Sequence, residues 1–144
     1  MIEIDGKSPI LVSACLTGVG CRYDGKEKNF NSKVMNLIKD KKVILVCPEV
    51  MGGLSTPRPG AGRDGDRVVT IEGTDVTEQY LVGATSVEEI AKLNGCKLAI
   101  LKARSPSCGV GTCIGIETLR GGDYQNRDGV AAEKLRALGI KLIT

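Results

Sequence analysis

The sequence predicts a single α/β domain spanning residues 1–144. Its core is a mainly parallel sheet of four or more strands with helices on both faces, a Rossmann-like three-layer arrangement. Three observations predict it. Short apolar runs alternate along the chain with segments of helical spacing, the pattern of parallel strands joined by right-handed crossovers. The 144 residues suffice for one core. Hydrophobic residues make up 42% and aromatics only 3%, so that core is Val, Ile, Leu and Ala, which suits a sheet packed between helices and argues against disorder.

The elements follow in order. Pro9-Ile10-Leu11-Val12-Ser13 is a short apolar run ending in turn chemistry and reads as a buried strand. Asn31 through Lys39 opens on capping residues and continues with apolar positions at helical spacing, a helix. Val43-Ile44-Leu45-Val46 is a second buried strand. Cys47 to Arg67, rich in proline and glycine, reads as a long functional loop. Arg67–Gly73 alternates as a short strand, half of a hairpin with a neighbour inside that loop. Asp75 or Thr77 caps a helix through Tyr80-Leu81, which restarts or continues at Ser86 and runs to Leu93, with Asn94-Gly95 as its stop. Lys97–Lys102 is the third main strand. Ala131–Leu138, entered from Arg127-Asp128-Gly129-Val130 and ended by Gly139, is a helix, and Ile140–Ile143 closes as the fourth strand.

Several function classes are excluded. The formal charge of +3, from 20 basic and 17 acidic residues, is too mild for a nucleic-acid surface, although a local basic patch stays open. The chain has no histidine, so acid–base chemistry falls to carboxylates, thiols, Lys or Tyr. Met1-Ile2-Glu3-Ile4-Asp5 lacks a basic n-region and an apolar h-region, and no stretch has the 18 or more apolar residues of a membrane span. A cytoplasmic location is the expectation, and there cysteines are more often reduced, metal-bound or catalytic than paired.

Cys15, Cys47 and Cys108 each stand where an apolar run gives way to a loop. Their contexts are Ser13-Ala14-Cys15-Leu16-Thr17-Gly18, Cys47-Pro48-Glu49 and Ser105-Pro106-Ser107-Cys108-Gly109. In a parallel sheet the carboxyl ends of the strands share one edge, where open α/β folds build ligand sites. The three sulfurs are therefore expected to converge on one pocket. Thiolates favour zinc, copper(I) and iron–sulfur clusters. The spacings Cys15-x5-Cys21 and Cys108-x4-Cys113 do not match a zinc ribbon, which weakens structural zinc. Cys47-Pro48 fits the habit of proline after a cluster-ligating cysteine. With three protein ligands, one iron keeps an open position and acts as a Lewis acid toward a soft atom such as sulfur. The bland alternative is that each thiol is a small buried hydrophobe, and Cys96, at the other end of the sheet, is read that way. Cys21 and Cys113 stay open between fourth ligand, resolving thiol and bystander.

Other residues support a site. Glu49 stands two residues after Cys47, the spacing that brings side chains to one side of an extended segment, and suits a general acid or base. Ser105 and Ser107 flank Pro106, their hydroxyls suited to a substrate, a cluster sulfur or a turn. Arg22-Tyr23 lies in a glycine-rich loop, where Tyr23 stacks on a planar ring or simply covers the loop. Arg58 and Arg63 suit an anion or phosphate, without the Lys-Ser/Thr ending of a P-loop.

Together these segments resemble the thiouracil desulfidase family, domain of unknown function 523. The motifs are Ser13-Ala14-Cys15-Leu16-x-Gly18 with Arg22-Tyr23-Asp24-Gly25, then Cys47-Pro48-Glu49 with Gly53-Leu54 and Pro57-Arg58, then Ser105-Pro106-Ser107-Cys108-Gly109. The resemblance covers essentially the whole chain. It implies an enzyme whose 4Fe-4S cluster is held by Cys15, Cys47 and Cys108, and which removes sulfur from a thiolated pyrimidine without net redox change, releasing sulfide. It implies proton transfer and substrate positioning by Glu49 and Ser105; to these the residues' own chemistry adds Arg22, Tyr23, Arg58, Arg63 and Ser107 as the expected substrate-binding set. Free base, nucleotide and tRNA substrates all occur in the family, and the mild charge favours a small molecule over tRNA. Two rivals follow from the residues alone: a non-catalytic iron–sulfur or metal-binding sulfur sensor or carrier, and a thiol–disulfide enzyme, disfavoured because neither cysteine pair is C-x-x-C.

Overall fold

The structure is a computed structural model that describes residues 8–17, 31–111, 113–115 and 127–144. Strand β1 (Ile10–Ser13) is buried throughout and passes into a single 3-10 turn, Ala14–Thr17. Helix α1 (Ser32–Ile38) starts where the Asn31 side chain accepts the Val34 amide at 3.2 Å, satisfying an amide the helix itself leaves open. Strand β2 (Val43–Val46) leads into a four-residue helix α2 (Pro48–Met51), with proline at a position where its missing N–H costs nothing. This helix lies inside the segment expected to be loop.

Strands β3 (Ala61–Asp64) and β4 (Arg67–Thr70) form the antiparallel hairpin, turned at Gly65 with φ +61°. Helix α3 (Thr77–Asn94) is continuous through Ser86 and ends at Gly95 in the left-handed region. Strand β5 (Leu98–Ile100), helix α4 (Val130–Ala137) and strand β6 (Lys141–Ile143) complete the chain.

The main sheet has the order β2-β1-β5-β6, all parallel. Strand alternation divides its side chains between two faces. Ile10, Val12, Leu98 and Ile100 pack with Val34 and Ile38 of α1, while Leu11 and Ala99 pack with Val87 and Ala91 of α3 and Ala132 and Leu135 of α4. Helices thus cover both faces, as the composition requires. A second cluster seats the hairpin, through Ala61 and Val68, on Tyr80 and Ala84 of α3 and Val130 and Ala131 of α4. The chain leaves β1 for β2 on one side and returns to β5 on the other. The order therefore reverses between β1 and β5, and open α/β sheets bind ligands at the carboxyl end of such a reversal. No described helix is long and apolar enough to cross a membrane.

Candidate functional site

Three backbone devices position the site. First, Lys102 N–H donates to Ser13 Oγ at 2.9 Å, joining the carboxyl ends of β1 and β5. Second, α2 lies against α3 at two glycines: a Cβ on Gly83 would overlap the Pro48 carbonyl, and one on Gly52 would overlap the Gln79 carbonyl. Only hydrogen at these positions lets the two backbones touch, which fixes α2 and the Cys47 and Glu49 it carries. Third, the first turn of α4 grips the Ser105–Gly109 loop. Val130 N–H donates to Pro106 O at 2.9 Å, and the amides of Ala131 and Ala132 donate to Ser107 O at 2.9 and 3.1 Å. These satisfy amides that a helix start leaves unpaired. Gly129 is needed there, since a Cβ would come within 2.6 Å of the Ser107 backbone carbon.

The result is a cavity of about 240 Å³ at the carboxyl edge of β1, β2 and β5. Its lining brings together Cys15, Cys47, Cys108, Glu49, Arg58, Ser105 and Ser107. Cys15 and Cys47 are half-buried and Cys108 is 4% exposed. The lining also includes Ser13, Tyr80, Lys102 and Arg104, which the sequence motifs did not single out for the site's chemistry. Arg104 takes a left-handed backbone, φ +68°, unusual for a residue with a Cβ. Its carbonyl accepts Ile114 N–H at 2.7 Å, and the two segments bridge at Arg104 and Cys113, so neighbouring structure holds that conformation.

Glu49 is the hub of the polar wall. Arg58 Nε donates to its Oε1 at 3.0 Å, with the two side chains 6% and 14% exposed. Arg58 Nη1 is anchored on Ser55 O and Thr56 Oγ1, both at 3.0 Å. On Oε2, Ser107 Oγ lies at 3.1 Å and Ser105 Oγ at 3.4 Å. Tyr80, 2% exposed, turns its phenol toward the same carboxylate; burial, then the charge and hydrogen bonding of Glu49, push that phenol well above its ordinary value.

The arginine pair divides. Arg58 lines the cavity, but its Nε holds Glu49 and its Nη1 holds the Ser55 carbonyl and the Thr56 hydroxyl. Arg63, expected beside a substrate phosphate, does not line the cavity. It is 3% exposed, with its guanidinium on Asp128 O at 2.8 Å, Glu133 Oε2 at 3.0 Å and Gly65 O at 3.3 Å, pinning the hairpin to the start of α4. A buried guanidinium needs this many acceptors, and the fold supplies them. Arg22, Tyr23 and Cys21 lie outside the described residues. Cys96 packs in the core, and Cys113 is buried where its backbone bridges Arg104.

The donor set suits a metal group of a particular kind. Burial pushes the Cys108 thiol up to about 11; Ser13 and Ser107 hydroxyls oppose the rise, and Glu49 and Cys47 add to it. A thiolate at that position calls for a cation beside it. Among the described residues, no three Cys, Asp or Glu side chains close around one point as a single ion requires. Three soft donors on separate strand ends of one cavity instead fit an iron–sulfur cluster, in which each thiolate meets a different iron.

Comparison with known proteins agrees with this chemistry. The family model described as 2-thiouracil desulfurase matches residues 10–144. An uncharacterized protein of Bacillus subtilis (strain 168), YbbK, is 37% identical over 149 residues, covering 94% of each chain. The solved structure of a 4Fe-4S-dependent thiouracil desulfidase, TudS, superposes with a TM-score of 0.87 at 38% identity, covering 95% of this chain and 90% of that one.

Proposed function

Because this chain belongs to the 2-thiouracil desulfurase family, we propose that it is a 4Fe-4S-dependent desulfidase that hydrolyses the thiocarbonyl of a small thiolated pyrimidine. The observation that carries the reading is the meeting of Cys15, Cys47, Cys108 and Glu49 in one cavity at the sheet's reversal point. The substrate class is thiouracil, 4-thiouridine or its monophosphate; a cavity of about 240 Å³ suits a small ring better than thiolated tRNA.

Cys15, Cys47 and Cys108 would hold the cluster. When bound, it supplies a soft Lewis-acidic iron with an open position suited to the substrate sulfur. The remaining work belongs to the chain. Val46, Pro48, Ala61, Pro106 and Ile114 give the cavity apolar walls that shield the ring from bulk water. Ser105 offers its hydroxyl beside the ring, and Glu49 is the proton acceptor. Water adds its oxygen to the ring carbon and the C–S bond breaks. One water proton passes to Glu49 and is then returned to the leaving sulfur. The second leaves the oxygen as the new carbonyl forms, so the sulfur departs as hydrogen sulfide or as hydrosulfide with one proton released. The products are the oxo-pyrimidine and sulfide, and nothing is oxidised or reduced. Arg58 orients Glu49, while Arg22 and Tyr23 complete the proposed substrate-binding set by their motif.

Anaerobic reconstitution with iron and sulfide, followed by loss of the thiouracil near-ultraviolet band, tests the proposal. A cluster-loaded protein that leaves thiouracil, 4-thiouridine and its monophosphate untouched would overturn it.

A further inference from the structure

Among the described residues, the charged side chains lining the cavity are Glu49, Arg58, Lys102 and Arg104. Two of them offset each other, since Arg58 Nε lies 3.0 Å from Glu49 Oε1. Arg104 is exposed, whereas Lys102 is half-buried. No described carboxylate pairs with the Lys102 ammonium. A partly desolvated charge without a counter-ion is costly, and a ligand that brings negative charge offsets the cost.

The root of this side chain is fixed by the main chain. Lys102 stands two residues beyond β5, and its N–H donates to Ser13 Oγ at the end of β1, at 2.9 Å. Leu101 beside it is 1% exposed and donates its N–H to Ile143 O at 2.9 Å. From that anchored root a flexible four-carbon stem carries a compact charge with three rotatable donors. The sheet order sets the segment after β2, which carries Glu49, and the segment after β5, which carries Lys102, on opposite sides of β1. A flat ring lying between them presents a different edge to each.

We propose that Lys102 is a catalytic residue whose ammonium stabilises the negative charge that the pyrimidine ring gathers during desulfuration, an inference that rests on the reading above. When the oxygen of water bonds to the thiolated carbon, an electron pair is displaced from that carbon. The pair spreads over the sulfur and the adjoining ring nitrogen and carbonyl oxygen. It returns to the carbon as the C–S bond breaks and the electrons of that bond leave with the sulfur. Lys102 forms no covalent bond and transfers no proton. The apolar walls keep bulk water away, so a fixed cation acts there more strongly than it would in solvent. The uncharged ground-state ring carries little of this charge, so Lys102 acts on kcat more than on KM.

The test joins binding to kinetics, both on protein with measured iron and sulfide. Barbiturate is a pyrimidine that is anionic at neutral pH, with its charge on the exocyclic oxygens, and uracil is its neutral counterpart. Wild type is expected to bind barbiturate about tenfold more tightly than uracil in anaerobic calorimetry. Lys102→Met keeps the length and removes the charge. It is expected to bind the two rings alike, to lose about 100-fold in kcat for thiouracil, and to keep KM within about threefold. Lys102→Arg, which keeps a charge, is expected to recover the preference and most of the rate. Every substitution at this position keeps the main-chain N–H on Ser13, so the join of β1 to β5 is untouched. Equal binding of barbiturate and uracil by wild type overturns the inference without any variant. So does an iron-replete Lys102→Met at wild-type kcat, or a Lys102→Arg as slow as Lys102→Met. Wild type with a full cluster and no turnover of thiouracil, 4-thiouridine or its monophosphate overturns the desulfuration reading and this role with it. Turnover that is indifferent to Lys102→Met sinks the role of Lys102 alone.

Discussion

Arg58 Nε and Glu49 Oε1 meet at 3.0 Å, both side chains largely buried, and Nη1 of the same guanidinium is anchored on its own loop. The pair joins α2 to the segment that leads into the hairpin, so the carboxylate is held from the side opposite the serines. Removing one partner of such a pair leaves the other charged and buried. Arg58→Ala is expected to cost about 3–5 kcal/mol of stability in urea melts. Where it still folds, kcat is expected to fall about 100-fold, with a smaller change in KM, because Glu49 loses its orientation. Arg58→Lys, which keeps the charge without the fork, is expected to fall between. A rise in KM for the nucleotide alone, with kcat intact, would instead make Arg58 a phosphate ligand.

The contact between α2 and α3 makes a sharper stability prediction. Gly83→Ala places a methyl group against the Pro48 carbonyl, so the two backbones must move apart to admit it. A loss of about 1–3 kcal/mol in urea unfolding is expected, with reduced iron per chain because Cys47 moves with α2. Thr85→Ala, exposed on the same helix, serves as the control and is expected to change neither.

Asp128 links stability to pH. Its carboxylate accepts Arg136 Nε at 2.6 Å and Gly111 N–H at 2.7 Å, and the Arg136 hydrogen bond is the main cause holding its pKa below the ordinary carboxylate value. A depressed folded-state pKa means that the unfolded chain binds the proton first as pH falls. The contribution is therefore complete above the unfolded value of about 3.9 and is lost as pH drops through the folded one. Asp128→Asn is expected to lower the urea midpoint at pH 6, with the gap closing toward pH 3.

Cys108 should be nearly unreactive in iron-free protein. With the thiol at about 11, the thiolate is scarce at neutral pH, and alkylation follows the thiolate. Iodoacetamide at pH 7.5 is expected to label Cys15 and Cys47 before Cys108 on iron-free protein, read by peptide mass mapping. Rapid labelling of Cys108 first would show that its pocket is open in that state.

The parts of the fold that the sequence made legible are those written in local pattern. The apolar runs became the four main strands, and Asn31 and Gly95 marked real helix ends. The three cysteines stood out because turn residues follow buried runs, and topology then carried all three to one edge. Helix α2 escaped because four residues show no periodicity, and its nearby glycines, which read as loop, are there for close packing against α3. Tyr80 reaches Glu49 across 31 positions of sequence from the buried side of a long helix, and nothing local distinguishes it from a core residue. Arg63 misled because charge and a flexible context suggest a ligand grip, whereas a pair of carbonyls and Glu133, 70 positions away, had already claimed it.

Cys15, Cys47 and Cys108 are separated by 32 and 61 residues, and each is delivered by a different strand. Cys108 further depends on α4, whose first amides clasp its loop from beyond residue 128. No fragment short of nearly the whole chain assembles the cavity. The order of biogenesis follows: polypeptide first, cofactor afterwards. On the proposed ligand set, iron and sulfide have to reach a finished sheet, and a truncated chain offers them no assembled cavity.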